Sequence, residues 1–184
     1  MDLQGQIAIV TGAGRGIGRA TALELARLGA DVVVAELDKP GAERTAGEVT
    51  ALGRRALAVP TDVTRRADLT AMVERTRAAF GRLDILVNNA GIYRAAPTLE
   101  ITEAHWDAGL TINAKAVFFA SQAVLPTMIA QKSGVRQPGL DGGQDQQCQQ
   151  PSLQGQQGRG DQHQQADPRR LPCCRSGPSG LWCL

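Results

Sequence analysis

Three groups of residues in this chain have types and spacing that could do chemistry. The first is Thr11-Gly12-Ala13-Gly14-Arg15-Gly16-Ile17-Gly18, directly after the apolar run Ile7 to Val10. Backbone so poor in side chains can turn tightly and approach a ligand closely. If it opens a helix, its N–H groups and the helix dipole favour anionic phosphates. Gly12 suits the tight turn, Gly16 the close approach of backbone to ligand, and Gly18 the packing of the helix against the strand. The second group is two carboxylates at the ends of apolar runs: Glu36 after Asp31 to Ala35, and Asp62, followed by Val63, after Ala56 to Val59. The third is Asn88-Asn89-Ala90-Gly91 after Ile85 to Val87, with Asn113 further along.

These groups must be positioned by regular elements, and the chain alternates two kinds. Ile7 to Val10 is apolar without alternation, as a parallel strand buried on both faces should be. Arg19 to Leu28 reads as a helix closed by Gly29, followed by a strand over Asp31 to Ala35, a helix over Gly41 to Leu52 and a strand over Ala56 to Val59. A helix around Ala67 to Phe80, a strand at Ile85 to Val87 and two helical segments, Thr102 to Leu110 and Ala114 to Gln131, complete the pattern. Alternating strands and helices imply right-handed crossovers and a parallel sheet covered on both sides, an α/β, Rossmann-like doubly wound fold. In such sheets ligands bind outside the carboxyl ends of the strands, where all three groups lie.

The spacing GxGxxG is not met, because position 17 is Ile; TGxxxGxG is. Together with Asn88-Asn89-Ala90-Gly91, each motif in order and at a strand end, it makes residues 1–133 resemble the short-chain dehydrogenase/reductase family. The resemblance implies hydride transfer between a nicotinamide cofactor and a small-molecule alcohol or carbonyl, such as a secondary alcohol, polyol or ketone. It puts the pyrophosphate at Gly12, Arg15, Gly16, Ile17 and Gly18. Glu36 falls where an acidic side chain accepts from the adenosine ribose hydroxyls and repels a 2′-phosphate, which favours NAD over NADP; Arg15 pulls weakly the other way. Glu36 could instead be a solvated strand-end charge. Asp62 and Val63 resemble the pair bordering the adenine, although Asp62 could equally cap the turn before the next helix. Asn89, Ala90 and Gly91 would line the cofactor near the nicotinamide ribose. Asn113 matches the family's structural and proton-relay asparagine, and is also an ordinary helix N-cap residue. Tyr93, the one tyrosine, would line the substrate side of the cleft.

The composition has a seam. Of 184 residues, 42% are hydrophobic, yet beyond Val135 there is no further Val, Ile or Phe. Gln, Gly and Pro dominate residues 134–184, a composition that does not offset the entropy of ordering. The expected organisation is a dinucleotide-binding domain over 1–133, incomplete after four strands, and a disordered tail over 134–184. The cysteines, Cys148, Cys173, Cys174 and Cys183, all lie in the tail, and with His163 they show no zinc-type spacing, so no metal is expected. A net charge of +2 with scattered basic residues gives no footprint for nucleic acid. No signal-like start and no stretch of membrane-spanning length is evident, so no membrane partner is expected and the cytoplasm is the expected location.

The family's tyrosine, the lysine four residues later and the upstream serine cannot be placed here. A lysine and an oxidised cofactor lower a phenol pKa toward the working range. Where they belong, residues 137–158 read QPGLDGGQDQQCQQPSLQGQQG. Rereading after dropping one base, Arg136 to Gln144 permits Gly-Asn-Leu-Ala-Ser-Met-Ala-Gly-Lys, with the serine codon straddling Leu140 and Asp141. Gln150 to Gly158 permits Asn-Pro-Ala-Tyr-Lys-Ala-Asn-Lys, with the tyrosine codon straddling Leu153 and Gln154 and the final lysine codon Gln157 and Gly158. The sequence expectation is therefore a short-chain dehydrogenase that leaves its frame near residue 134 and is inactive as written. The alternatives are a catalytically silent dinucleotide-binding remnant and an interaction protein acting through its tail. The strand Ile85 to Val87 would be an open apolar edge, which makes the family's homo-oligomer doubtful.

Overall fold

Residues 2–93 and 95–132 are described by the structure, a computed structural model. In chain order they form β1 (Ile7–Thr11), α1 (Gly16–Arg27), β2 (Asp31–Glu36), α2 (Lys39–Ala51), β3 (Ala56–Pro60), α3 (Arg66–Phe80) and β4 (Ile85–Val87). A 3-10 turn (Thr98–Glu100), α4 (Glu103–Leu110), a π-helical turn (Thr111–Lys115) and α5 (Ala116–Gln131) follow. The expected tail over residues 134–184, its cysteines and its displaced-frame motifs lie outside the described residues.

The four strands are parallel and lie in the order β3-β2-β1-β4, with Ile9 opposite Val33 on one side and Leu86 on the other. The chain winds outward from β1 through β2 to β3, then returns to place β4 on the other side of β1. The strand order therefore reverses between β1 and β4, and the crevice beyond their carboxyl ends is the natural ligand position. Alternate strand residues feed two core layers. Ile7, Ile9, Val33 and Val59 pack with Leu69 and Met72 of α3 and with Ala120, Val124 and Met128 of α5. Val10, Val32 and Val34 pack with Ala22 and Ala26 of α1 and with Ala42 and Val49 of α2. Ile9 is fully buried, so truncating it to Ala would cost about 2–5 kcal/mol.

The expected Rossmann-like α/β fold is present, with shifted boundaries. α1 begins at Gly16, three residues before the apolar periodicity starts, because glycines in its first turn carry no apolar signal. Asp38 caps α2 by accepting from Gly41 N at 3.0 Å, and Thr102 caps α4 by accepting from His105 N at 3.3 Å. α3 ends where Gly81 adopts the left-handed conformation.

Two expectations are corrected. The helices expected at Thr102 to Leu110 and Ala114 to Gln131 are not separate: the π-helical turn joins α4 and α5 into one helix, Glu103–Gln131. Consequently Asn113 lies inside a helix and is not an N-cap. The continuous helix of 29 residues is also long and apolar enough to cross a membrane by length and composition, contrary to the expectation that no stretch would be. Ala120, Val124 and Met128 nevertheless pack into the core layer over the sheet, which makes it a core helix of this domain. Two amides tie it to the segments flanking β4. Gln131 exchanges hydrogen bonds with both backbone atoms of Leu83, at 3.0 and 2.9 Å, and Asn113 does the same for Ile92 at 2.9 and 2.8 Å.

Candidate functional site

The glycine turn between β1 and α1 is built by close approach. A Cβ on Gly12, which also has φ of +65°, would come within 2.8 Å of Ala90 Cα. One on Gly14 would come within 2.7 Å of the Glu36 side chain, and one on Gly18 would collide with Gly12 O and the Asn89 amide. Gly18 thus packs against the turn itself and against Asn89, a tighter constraint than the expected helix–strand contact. Gly16 differs: it has φ of +56°, and a Cβ there would meet nothing within 4 Å. Among the described residues, space is therefore open in front of the first turn of α1, and no side chain caps that helix, whose N-cap residue is Arg15. The opening N–H groups have no intrahelical acceptor, which is the arrangement that takes an anion. Arg15 and Ile17 are exposed beside this opening.

Thr11, which the sequence motif includes without giving it a role of its own, ties this turn to the loop after β4. Its hydroxyl donates to Val87 O at 3.3 Å and accepts from the N–H groups of Asn89 and Ala90 at 3.1 and 3.0 Å. The Asn89 amide donates back to Thr11 O and Gly12 O at 2.9 and 3.0 Å. Asn88 turns the other way and donates to Ser121 of α5 at 3.3 Å. These bonds hold the two strand ends together as the walls of one crevice. Gly91 is exposed beyond Ala90 and lies against Asn113, whose Oδ1 would be 3.2 Å from a Cβ there. Asn113 fixes the backbone of Ile92 from the π-helical turn, so Asn89 and Asn113 together shape both ends of this loop. Tyr93 is 91% exposed.

On the opposite side of the glycine turn, Glu36 is held at the end of β2. Its Oε2 accepts from Gly14 N at 2.9 Å, and its Oε1 accepts from Leu37 N and Asp38 N at 2.8 and 3.3 Å. A carboxylate has about four acceptor positions, so capacity remains for a ligand hydroxyl. Asp62, one strand further out, accepts from Thr64 Oγ1 at 2.7 Å and Thr64 N at 2.9 Å. Those two bonds hold its carboxyl below the usual carboxylate range, against a smaller opposing effect of burial. The bonds are those of a turn before α3, whose N-cap residue is Arg65. Val63 is half-buried against the core layer of α3 and α5. The structure thus brings the glycine turn, Glu36 and Asn89 to Gly91 together, leaves Asp62 and Val63 at the end of β3, and aims Tyr93 at solvent.

A statistical model of the family described as short chain dehydrogenase matches residues 6–135. This chain belongs to that family. Among curated relatives, a short chain dehydrogenase/reductase of Aspergillus oryzae, astE, is 49% identical over 135 residues, covering 72% of this chain and 52% of the relative. The 2-dehydro-3-deoxy-D-gluconate 5-dehydrogenase of Escherichia coli is 43% identical over 133 residues, with 72% and 52% covered. Among solved structures, a 7α-hydroxysteroid dehydrogenase complexed with NADH and 7-oxo glycochenodeoxycholic acid superposes with a TM-score of 0.68 at 35% identity. It covers 71% of this chain and 51% of that one. The chain spans about half the length of the curated relatives it matches. Short-chain dehydrogenases are oxidoreductases that use nicotinamide dinucleotides.

Proposed function

We propose that residues 2–132 bind a nicotinamide dinucleotide, NAD in preference to NADP, and that the chain as written does not turn over substrate. The observation that carries the cofactor preference is Glu36, a carboxylate held by Gly14, Leu37 and Asp38 N–H groups beside the turn that would take the pyrophosphate. When bound, the nicotinamide accepts or donates the hydride. The chain's own residues bind and orient: the opening N–H groups of α1 take the diphosphate, and Glu36 accepts from the adenosine ribose. Asp62 and Val63 border the adenine, Asn89 to Gly91 face the nicotinamide ribose, and Asn113 holds the Ile92 backbone at the floor of the reaction site.

The substrate class of the intact lineage is a small alcohol or carbonyl compound. The family's general acid/base tyrosine and its lysine have no counterpart in residues 133–158, and Asn113 cannot move the reacting proton in their place. A one-base displacement near codon 134 permits strand, serine, tyrosine and lysine together, which supports an origin by frame change. The coding DNA across codons 130 to 160 decides that origin: absence of those codons from every displaced frame contradicts it. Binding is tested by titrating the full chain with NADH and NADPH and following nicotinamide fluorescence. Saturable binding of NADH with weaker binding of NADPH is the expected result, and equal affinities contradict the role given to Glu36.

A further inference from the structure

Both polar backbone atoms of Gly14 are held from outside the glycine turn. Its N–H donates to Glu36 Oε2 at 2.9 Å, and its carbonyl accepts from Arg44 Nη2 of α2 at 3.3 Å. These bonds act on consecutive peptide planes. Glu36 fixes the unit between Ala13 and Gly14; Arg44 fixes the unit between Gly14 and Arg15. In a trans peptide the C=O and N–H point to opposite sides, so a Gly14 carbonyl turned toward α2 keeps the Arg15 N–H turned away from it. Glycine has little intrinsic preference to hold such a plane, so the restraint must come from its neighbours. Without Arg44, rotation of this plane would present a carbonyl oxygen where an anion needs a donor.

Arg44 is well placed to apply that restraint. The first turn of α2 lies directly against the glycine turn, where a Cβ on Gly41 would be 3.4 Å from Gly14 Cα. One turn along α2 from Arg44, Glu48 is gripped by Arg19 of α1 through two bonds of 2.7 and 2.9 Å. The pair ties α1 to α2, the two helices whose relative position sets the distance from Arg44 to Gly14. Arg44 is absent from the glycine motif and belongs to a helix that the sequence marks only as a crossover.

We infer that Arg44 is a positioning residue for the diphosphate-binding turn: its guanidinium holds the Gly14 carbonyl toward α2 and keeps the turn's N–H groups presented to a ligand's diphosphate. The inference rests on the dinucleotide reading of the site and assigns Arg44 no contact with the ligand itself.

The test is calorimetric titration of the full chain and its Arg44→Met variant with adenosine, ADP and NAD. One lost hydrogen bond acting through the turn should weaken ADP and NAD by about 3- to 10-fold while leaving adenosine unchanged. Arg44→Lys, which keeps one donor, should recover part of the ADP affinity. Equal loss for all three ligands would mean that the substitution displaces β2 and Glu36, and would overturn the inference; so would no loss at all. Full recovery in Arg44→Lys, with ADP affinity falling steeply with salt, would indicate direct cation–phosphate contact and also overturn it. If the Met variant loses its far-UV signal, the Lys variant alone carries the comparison, with partial ADP loss against unchanged adenosine as the required result. Failure of the unsubstituted chain to bind either ADP or NAD would instead refute the dinucleotide reading.

Discussion

Replacing Glu36 separates its two roles, because one carboxylate both braces the glycine turn and faces the cofactor. Glu36→Ala removes the acceptor for three N–H groups. Those of Leu37 and Asp38 belong to exposed residues and can turn to water, whereas Gly14 is buried. Leaving the Gly14 N–H unpaired should cost about 1–3 kcal/mol of stability. Hydrogen bonds to a charged acceptor contribute about 1.5–3 kcal/mol, so NAD should bind roughly 10- to 150-fold more weakly. For NADP the same change removes a repulsion, since two like charges 4 Å apart at an effective dielectric of 20 interact by about 4 kcal/mol. NADP affinity should therefore hold or rise, and the NAD-to-NADP ratio should fall by about two orders of magnitude or more. Glu36→Gln keeps an acceptor for Gly14 without the charge, so it should lose the discrimination and keep most of the stability. Parallel fluorescence titrations with both reduced cofactors, with thermal melts on the same samples, read all of these quantities. An unchanged ratio in both variants would refute the reasoning and leave Glu36 as a brace alone.

Gly16→Val should cost roughly 1–2 kcal/mol through its positive φ yet abolish dinucleotide binding, because the side chain fills the open space before α1; retained NADH binding would place the diphosphate elsewhere. Thr64→Val removes the stronger of the two bonds that lower the Asp62 pKa, so it should destabilise the chain at neutral pH. Because a lowered carboxyl pKa contributes stability above the unfolded value of about 3.9 and loses it as pH falls through the folded value, the gap from the parent should close in acid. A gap equal at pH 7 and pH 3, by denaturant titration, would contradict this. Thr45 is fully buried and its hydroxyl has no partner among the described residues, so Thr45→Val should raise stability by about 1 kcal/mol; a lower melting temperature would show that the hydroxyl is satisfied.

The layer architecture was legible because strands buried on both faces announce themselves as unbroken apolar runs, and Ile7 to Val10 or Val32 to Ala35 admit little else. The glycine turn was legible for a related reason: close backbone approach leaves only glycine where a Cβ would collide, and the Asn-Asn-Ala-Gly loop stood out as a second motif at a strand end. The Thr11 hub was not, because its partners Asn89 and Ala90 lie 78 and 79 residues away and a strand-end threonine looks the same with or without them. Nor was the join between α4 and α5. Asn113 reads locally as a helix start, but the backbone of the π-helical turn carries the helix through it, and its amide binds Ile92, 21 residues away, instead of capping. The bracing of Gly14 by Glu36 and Arg44 is likewise long-range, with separations of 22 and 30 residues.

We propose that residues 2–132 bind a dinucleotide while the chain as written lacks its family's proton-transferring residues, and one comparison decides it: NAD reduction by the chain as it stands and by a version returned to the displaced frame from about codon 134, against the same set of secondary alcohols. General acid/base groups contribute roughly 10²–10⁴ in rate, so turnover should be absent from the first and present in the second. Equal activity in both would contradict the account.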